Sequence, residues 1–149
     1  MTAINLAGGP QEFAEFKFGK RHAKLYFNDE LNMKLADTCL SVGKHLHALD
    51  DQKKMTELDD KPVKEQRQFL NKLYKDLRDE LSAFFDDQFG EGAGDELYRL
   101  TNKSTERMAA AFFMVVKEYD ELREQRDSYI DTYYKSRKAM KKKWCECLA

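Results

Sequence analysis

The stretch LRDELSAFFDDQFGEGAGDELYRL, Leu77 to Leu100, decides the fold. Leu77, Leu81, Phe84 and Phe85 recur at spacings of three and four, the period of one helix face. The same stripe runs back through Phe69, Leu70 and Leu73 and ends near Phe89. Pro62 falls at the first helical position, where its missing N–H removes no bond. Gly90-Glu91-Gly92-Ala93-Gly94 then breaks the helix, with Gly90 placed as its left-handed cap. Asp95 to Leu100 reads as a short helical turn, with Leu97, Tyr98 and Leu100 packing back. Thr101 to Ser104 is a second break rich in capping side chains.

Upstream of this stretch two short runs change the period. In FAEFKF, Ala14, Phe16 and Phe18 alternate with charged residues; in HAKLYF, Ala23, Leu25 and Phe27 do the same. Alternation on both sides of Gly19-Lys20-Arg21 predicts a β-hairpin with one apolar face. A lone hairpin is marginal in water, so that face needs a helix against it. Met1 to Gln11 has little periodicity and reads as a flexible leader. After the hairpin, Asn28-Asp29-Glu30 supplies a cap and first-turn acids that suit the helix dipole. Leu31, Leu35, Cys39, Val42, Leu46 and Leu49 then form one stripe on a helix of about five turns. That helix is expected to stop at Asp50-Asp51, leaving Asp50 to Lys61 as a charged loop.

Downstream, Thr105 onward contains no glycine or proline. Met108, Phe112, Val115, Tyr119, Leu122, Tyr129 and Tyr133 follow a helical spacing that Arg126 interrupts. The pattern predicts a helix of about 40 residues, or ~60 Å. Its first part, AAAFFMVV, suits a core, whereas EYDELREQRDSYIDTYYKSRK mixes alternating charges with tyrosines. The second part is expected to project or to pair with another chain as a coiled coil does. The expected fold class is therefore mainly α (α+β): an N-terminal hairpin on a small helical bundle, with a long C-terminal amphipathic helix. The organisation reads as a leader over 1–11, one globular domain over 12–120, and over 121–149 a helix extension ending in a basic tail.

Bulk properties exclude several classes. The chain has 149 residues, the size of one domain, and a net charge of −1, so no global field draws it to nucleic acid or an anionic membrane. Charged residues make up 36% of it, which suits long helices with solvated faces. No apolar run is long enough to span a membrane, and the start has no secretory pattern. Three cysteines, an odd number, do not make a disulfide framework, and a reduced, soluble, cytoplasmic protein is expected.

No catalytic residue is expected. Nucleophilic chemistry needs a serine or cysteine beside a histidine and an orienting acid. His22 lies in a strand, His45 and His47 lie on the first helix, and the Cys39–His45 spacing turns those two apart. No metal or cofactor site is expected either. Cys145 and Cys147 are two thiols where a closed zinc site needs four ligands. Asp86-Asp87-Gln88-Phe89-Gly90 lacks the ligand spacing of a calcium loop. GEGAG follows a helix and has no phosphate-binding lysine, so it reads as an interhelical turn. Lys135, Arg137, Lys138, Lys141, Lys142 and Lys143, followed by Trp144, form a basic tail. Such a tail suits single strands of nucleic acid, but cations at a helix C-terminus also simply oppose the dipole. Tyr119, Leu122, Tyr129 and Tyr133, with Tyr134 beside them, are the candidate partner-binding residues, because tyrosines among arginines are an interface composition.

The helix–glycine turn–short helix, taken with the hairpin EFKFGKRHAKLYF, resembles the small tail-assembly chaperones of long-tailed (siphovirus-type) bacteriophages of Gram-positive hosts. Members of that group show a hairpin, a helix, a variable acidic loop, a helix ending in an FFD-x-x-FGEG-type turn, and a last helix. The residues carrying the motif here are Phe84, Phe85, Asp86, Phe89, Gly90, Glu91 and Gly92. The resemblance spans residues 12–120, and the long charged C-terminal helix departs from the pattern. It implies a non-enzymatic holdase in the bacterial cytoplasm that coats the tape-measure protein and brings tail-tube subunits to it. It also implies a longer frameshifted product, for which a run of adenines encoding Met140 to Lys143 would be the slippery site. Codons without a slippery heptamer there would sink that expectation. Two other readings stand beside it: a scaffolding protein that self-associates through its last helix, and a nucleic-acid-binding module using the basic tail.

Overall fold

The computed structural model describes the backbone of residues 2–7, 12–58 and 63–148, and the side chains of these apart from 54–58, 63 and 135–148. Pro62, and the side chains of the basic tail, Cys145 and Cys147, lie outside the described residues. The protein is mainly helical, 75%, with an N-terminal two-stranded antiparallel hairpin followed by four helices among the described residues. The order is β1 (Phe13–Phe18), β2 (Arg21–Tyr26), α1 (Asp29–Leu58), α2 (Val63–Phe89), α3 (Ala93–Leu100) and α4 (Thr105–Leu148). The chain forms two compact units, Met1–Val116 and Lys117–Ala149.

In the first unit the hairpin follows its alternation. Phe18 pairs with Arg21, which leaves Gly19 and Lys20 as a two-residue turn, and Gly19 takes a φ of 58°. Glycine reaches that region without a Cβ clash, and at this position a Cβ would also stand 2.7 Å from Glu96 Oε1. Ala14, Phe16, Phe18, Ala23 and Leu25 share the inward face. The cover that this face needs comes from the end of α2. The Phe18 ring lies 6.0 Å from Phe85 and 5.0 Å from Phe89, and Phe16 lies 6.4 Å from Phe89.

Helix α1 starts as its sequence suggests: Asn28 Oδ1 accepts the Leu31 N–H at 3.0 Å. Leu31, Leu35, Val42 and Leu49 are buried. It does not stop at Asp50-Asp51, and the expected loop from Asp50 is helix as far as Leu58. The run after Asp51 contains no glycine or proline, and aspartate inside a helix costs well under ~1 kcal/mol, so polarity alone cannot end it. Lys53, in that continued part, pairs with Glu106 at the start of α4. The Tyr74 hydroxyl of α2 donates to the same carboxylate at 3.3 Å.

Helix α2 buries Gln66, Leu77, Leu81, Phe84 and Phe85. Phe69, expected on this stripe, is instead 50% exposed. The buried line passes through Gln66 and Leu77, and Phe69 lies roughly 80° around the helix from it. Only the first part of the glycine stretch breaks the chain. Gly90 and Gly92 have φ of 104° and 82°, but Gly94 already belongs to α3. A Cβ on Gly94 would stand 2.5 Å from the Ser82 Cα, so this glycine lets α3 lie directly on α2. Leu97 is buried as expected, whereas Leu100 is 48% exposed, because α3 is too short to carry a second inward leucine one residue before its end. Ser104 caps α4 through its Oγ, which accepts the Arg107 N–H at 3.2 Å. Met108, Ala109, Phe112 and Val115 complete the core, with the Phe112 ring edge-on to Phe84 at 5.0 Å.

The second unit consists of the continuation of α4, which is helical through Leu148. No helix among the described residues is long and apolar enough to cross a membrane.

Candidate interaction surfaces

The motif turn after α2 is built from three kinds of contact. Phe84, Phe85 and Phe89 stack into the core and the hairpin, as given above. Asp86 reaches across the turn, and its Oδ1 accepts the Gly94 N–H at 2.7 Å, satisfying one of the orphan donors that open α3. The third contact is Arg21, at the start of β2. Its Nη2 donates to the Glu91 carbonyl at 3.1 Å and its Nη1 approaches the Phe89 carbonyl at 3.4 Å, while its Nε pairs with Glu96. One guanidinium thus fastens the hairpin turn, the glycine turn and α3 together. Arginine suits this because its planar fork offers several donors in fixed directions. Nothing in the local sequence singled out Arg21 or Glu96, since their partners lie about seventy residues away. Every residue of the FFD-x-x-FGEG stretch therefore has an architectural task within the first unit. Ion pairs also bind the helices. Lys34 Nζ lies 2.6 Å from Asp87, and this hydrogen bond raises the lysine above its ordinary value and lowers the aspartate. Lys53 and Glu106 shift in the same senses for the same reason.

One polar cluster has the residue types of a hydrolase triad: Ser41, His45 and Glu80 between α1 and α2. The order of contacts is wrong for nucleophile activation. The Ser41 hydroxyl donates to Glu80, and His45 Nδ1 lies 2.9 Å from the Ser41 carbonyl and 3.2 Å from Glu80 Oε2. A general base must take the proton of the serine itself, and here the carboxylate stands where the imidazole would be needed. The cluster bridges two helices. His22 and His47 are exposed, and no group of three or more potential metal ligands occurs among the described residues.

The tyrosine stripe lies on the second unit. Tyr119 and Leu122 are half-buried. Tyr129, Ile130, Tyr133 and Tyr134 are exposed large side chains in succession. Tyr129 and Tyr133 meet edge-on with centroids 4.9 Å apart, and the hydrogen bond between their side chains raises the Tyr129 phenol above its ordinary value. The Arg123 guanidinium lies 5.6 Å from the Tyr119 ring centroid and 3.5 Å from Asp120, so the cations here support the rings along the helix. Comparison with models of protein families, with curated proteins and with solved structures gave no match to this chain.

Proposed function

We propose that the chain is a non-enzymatic tail-assembly chaperone, which acts in the cytoplasm of a bacterial host by holding a tape-measure protein and tail-tube subunits. The observation that carries this reading is the distal part of α4. Tyr129 and Tyr133 continue the line of the buried Met108, Phe112 and Val115, yet are 51% and 63% exposed. An apolar face on a helix matches another helical chain with an apolar face, and a tape measure is a long helical polymer of that kind. Exposed tyrosines supply contact area at low entropic cost, which suits release as well as capture. The order of hairpin, helix, helix, FGEG turn, short helix and last helix supports the same reading.

Co-expression with a fragment of the tape-measure protein encoded beside this chain tests it. The complex should co-purify, and Tyr129→Ser with Tyr133→Ser should weaken it at least tenfold while leaving the helical signal unchanged. If no complex forms, or if the double substitution leaves it intact, the reading fails.

A further inference from the structure

We propose that the outward face of α1 is a self-association surface on which a second copy of this chain docks, helix against helix and antiparallel. This inference stands on the first unit alone and does not rest on the function proposed above.

Helix α1 has two faces. One carries Leu31, Leu35, Val42 and Leu49 into the core. Directly opposite, Met33, Ala36, Leu40, Gly43 and His47 succeed one another at spacings of three, four, three and four, and all five are exposed. This is the a/d repeat of a two-helix seam, in which knobs enter holes on a facing helix. Met33 and Leu40 are 68% and 67% exposed, the largest apolar side chains on this face.

Gly43 is the second observation. A glycine in a helix interior costs ~1 kcal/mol against alanine, so it needs a reason. Gly94 has one, the Ser82 backbone. Gly43 has none within its own chain, because a Cβ there would meet nothing within 4 Å. With Ala36 one heptad earlier, it leaves a shallow hole beside Leu40. A facing leucine fills such a hole, and the close approach explains the glycine.

Charge identifies the occupant. Asp37 and Lys44 flank the seam on one side, seven residues apart, and both are exposed. The other flank, at Asn32, Cys39 and Leu46, is half-buried by the first unit itself. A parallel partner would set the free flank against the covered one. An antiparallel copy sets it against its own equivalent, so that Asp37 faces Lys44 of the second chain and Lys44 faces Asp37. The pattern is self-complementary, as a two-fold interface requires. One helix pair covers less than the ~1,200 Å² of stable interfaces, so the association is weak and concentration-dependent.

Sedimentation equilibrium of the full chain up to about 200 µM tests this, a range that resolves weak pairing. The wild type should dimerise, and Leu40→Glu should weaken the dimer at least tenfold with the helical signal unchanged. Asp37→Lys should also weaken it, and adding Lys44→Asp to Asp37→Lys should restore it. A wild type that stays monomeric overturns the proposal. So does a dimer that survives Leu40→Glu, or one that Tyr129→Ser with Tyr133→Ser abolishes instead. Failure of the double reversal to rescue overturns the antiparallel arrangement.

Discussion

Two stretches of α4 share one spacing and lie in opposite surroundings. Met108, Phe112 and Val115 are at most 2% exposed, whereas Tyr129 and Tyr133, on the same line, are 51% and 63% exposed. Spacing states which side chains share a face; it does not state what covers that face. Composition carries the second message. The proximal stretch has no tyrosine and few charges, while the distal one pairs each ring with charged neighbours that keep it compatible with water. α1 shows the same division around its circumference, with leucines inward and Met33 and Leu40 outward.

The strongest way to break this comparison is to truncate both lines. Phe112→Ala should cost roughly 3–5 kcal/mol in urea unfolding, since it removes a fully buried ring that Phe84 packs against. Tyr133→Ala should change stability by no more than ~0.5 kcal/mol. Comparable losses would mean that the distal stretch is core. The two helix glycines sharpen the contrast next. Gly94→Ala should destabilise by about 1–3 kcal/mol, because its Cβ would collide with Ser82. Gly43→Ala should stabilise the monomer by ~0.5–1 kcal/mol, because its Cβ enters open space. Thermal melting of each at low concentration reads the opposite signs, and equal signs would refute the assignment.

Smaller effects probe the turn and its surroundings. Arg21→Met should cost ~1–2 kcal/mol, and a double-mutant cycle with Glu96→Gln should show coupling of about 1 kcal/mol. A cycle without coupling would mean that the guanidinium fastens nothing. Asn102 and Lys103 both have positive φ, at 58° and 57°. Asparagine tolerates this region and lysine does not, so Lys103→Gly should raise stability by up to ~1 kcal/mol in the same melts. The smallest effect is on pH. Asp87 and Glu106 are held below their ordinary values by hydrogen bonds from Lys34 and Lys53. A carboxylate lowered in the folded chain contributes stability that is complete above its unfolded value, near ~4, and lost as pH falls through its folded value. Urea midpoints should therefore drop below about pH 4, and Lys53→Met should flatten that slope slightly, since the pair is largely solvated. A slope unchanged by Lys53→Met would remove Glu106 from the account. Lys34 and Lys53 act in the other direction: their contribution is complete below the ordinary lysine value and lost as pH rises through their raised folded values.

Much of the fold was legible because its signals are local. The hairpin followed from alternation around one glycine, the α1 cap from Asn28, the end of α2 from Gly90, and the length of α4 from the absence of any breaker. Where local reading failed, it mistook polarity for structure or hydrophobicity for burial. The charged run after Asp51 continues a helix because nothing in it breaks one. Phe69 is aromatic but off the buried line, and Gln66 is polar but on it. Among site residues, the tyrosines of α4 were legible from spacing and composition. Arg21 and Glu96 were not, since an arginine near a turn has no pattern until its distant partners are placed.

The sequence by itself determined the kinds of elements, most of their ends, and the face each helix turns inward. Those depend on propensity, capping and periodicity, which act within a few residues. Only the tertiary structure decided which of two apolar lines on α1 is covered, why Gly94 is needed, and that one guanidinium holds three segments together. Those depend on what approaches from far along the chain, and contact across seventy residues leaves no mark on the spacing of either partner.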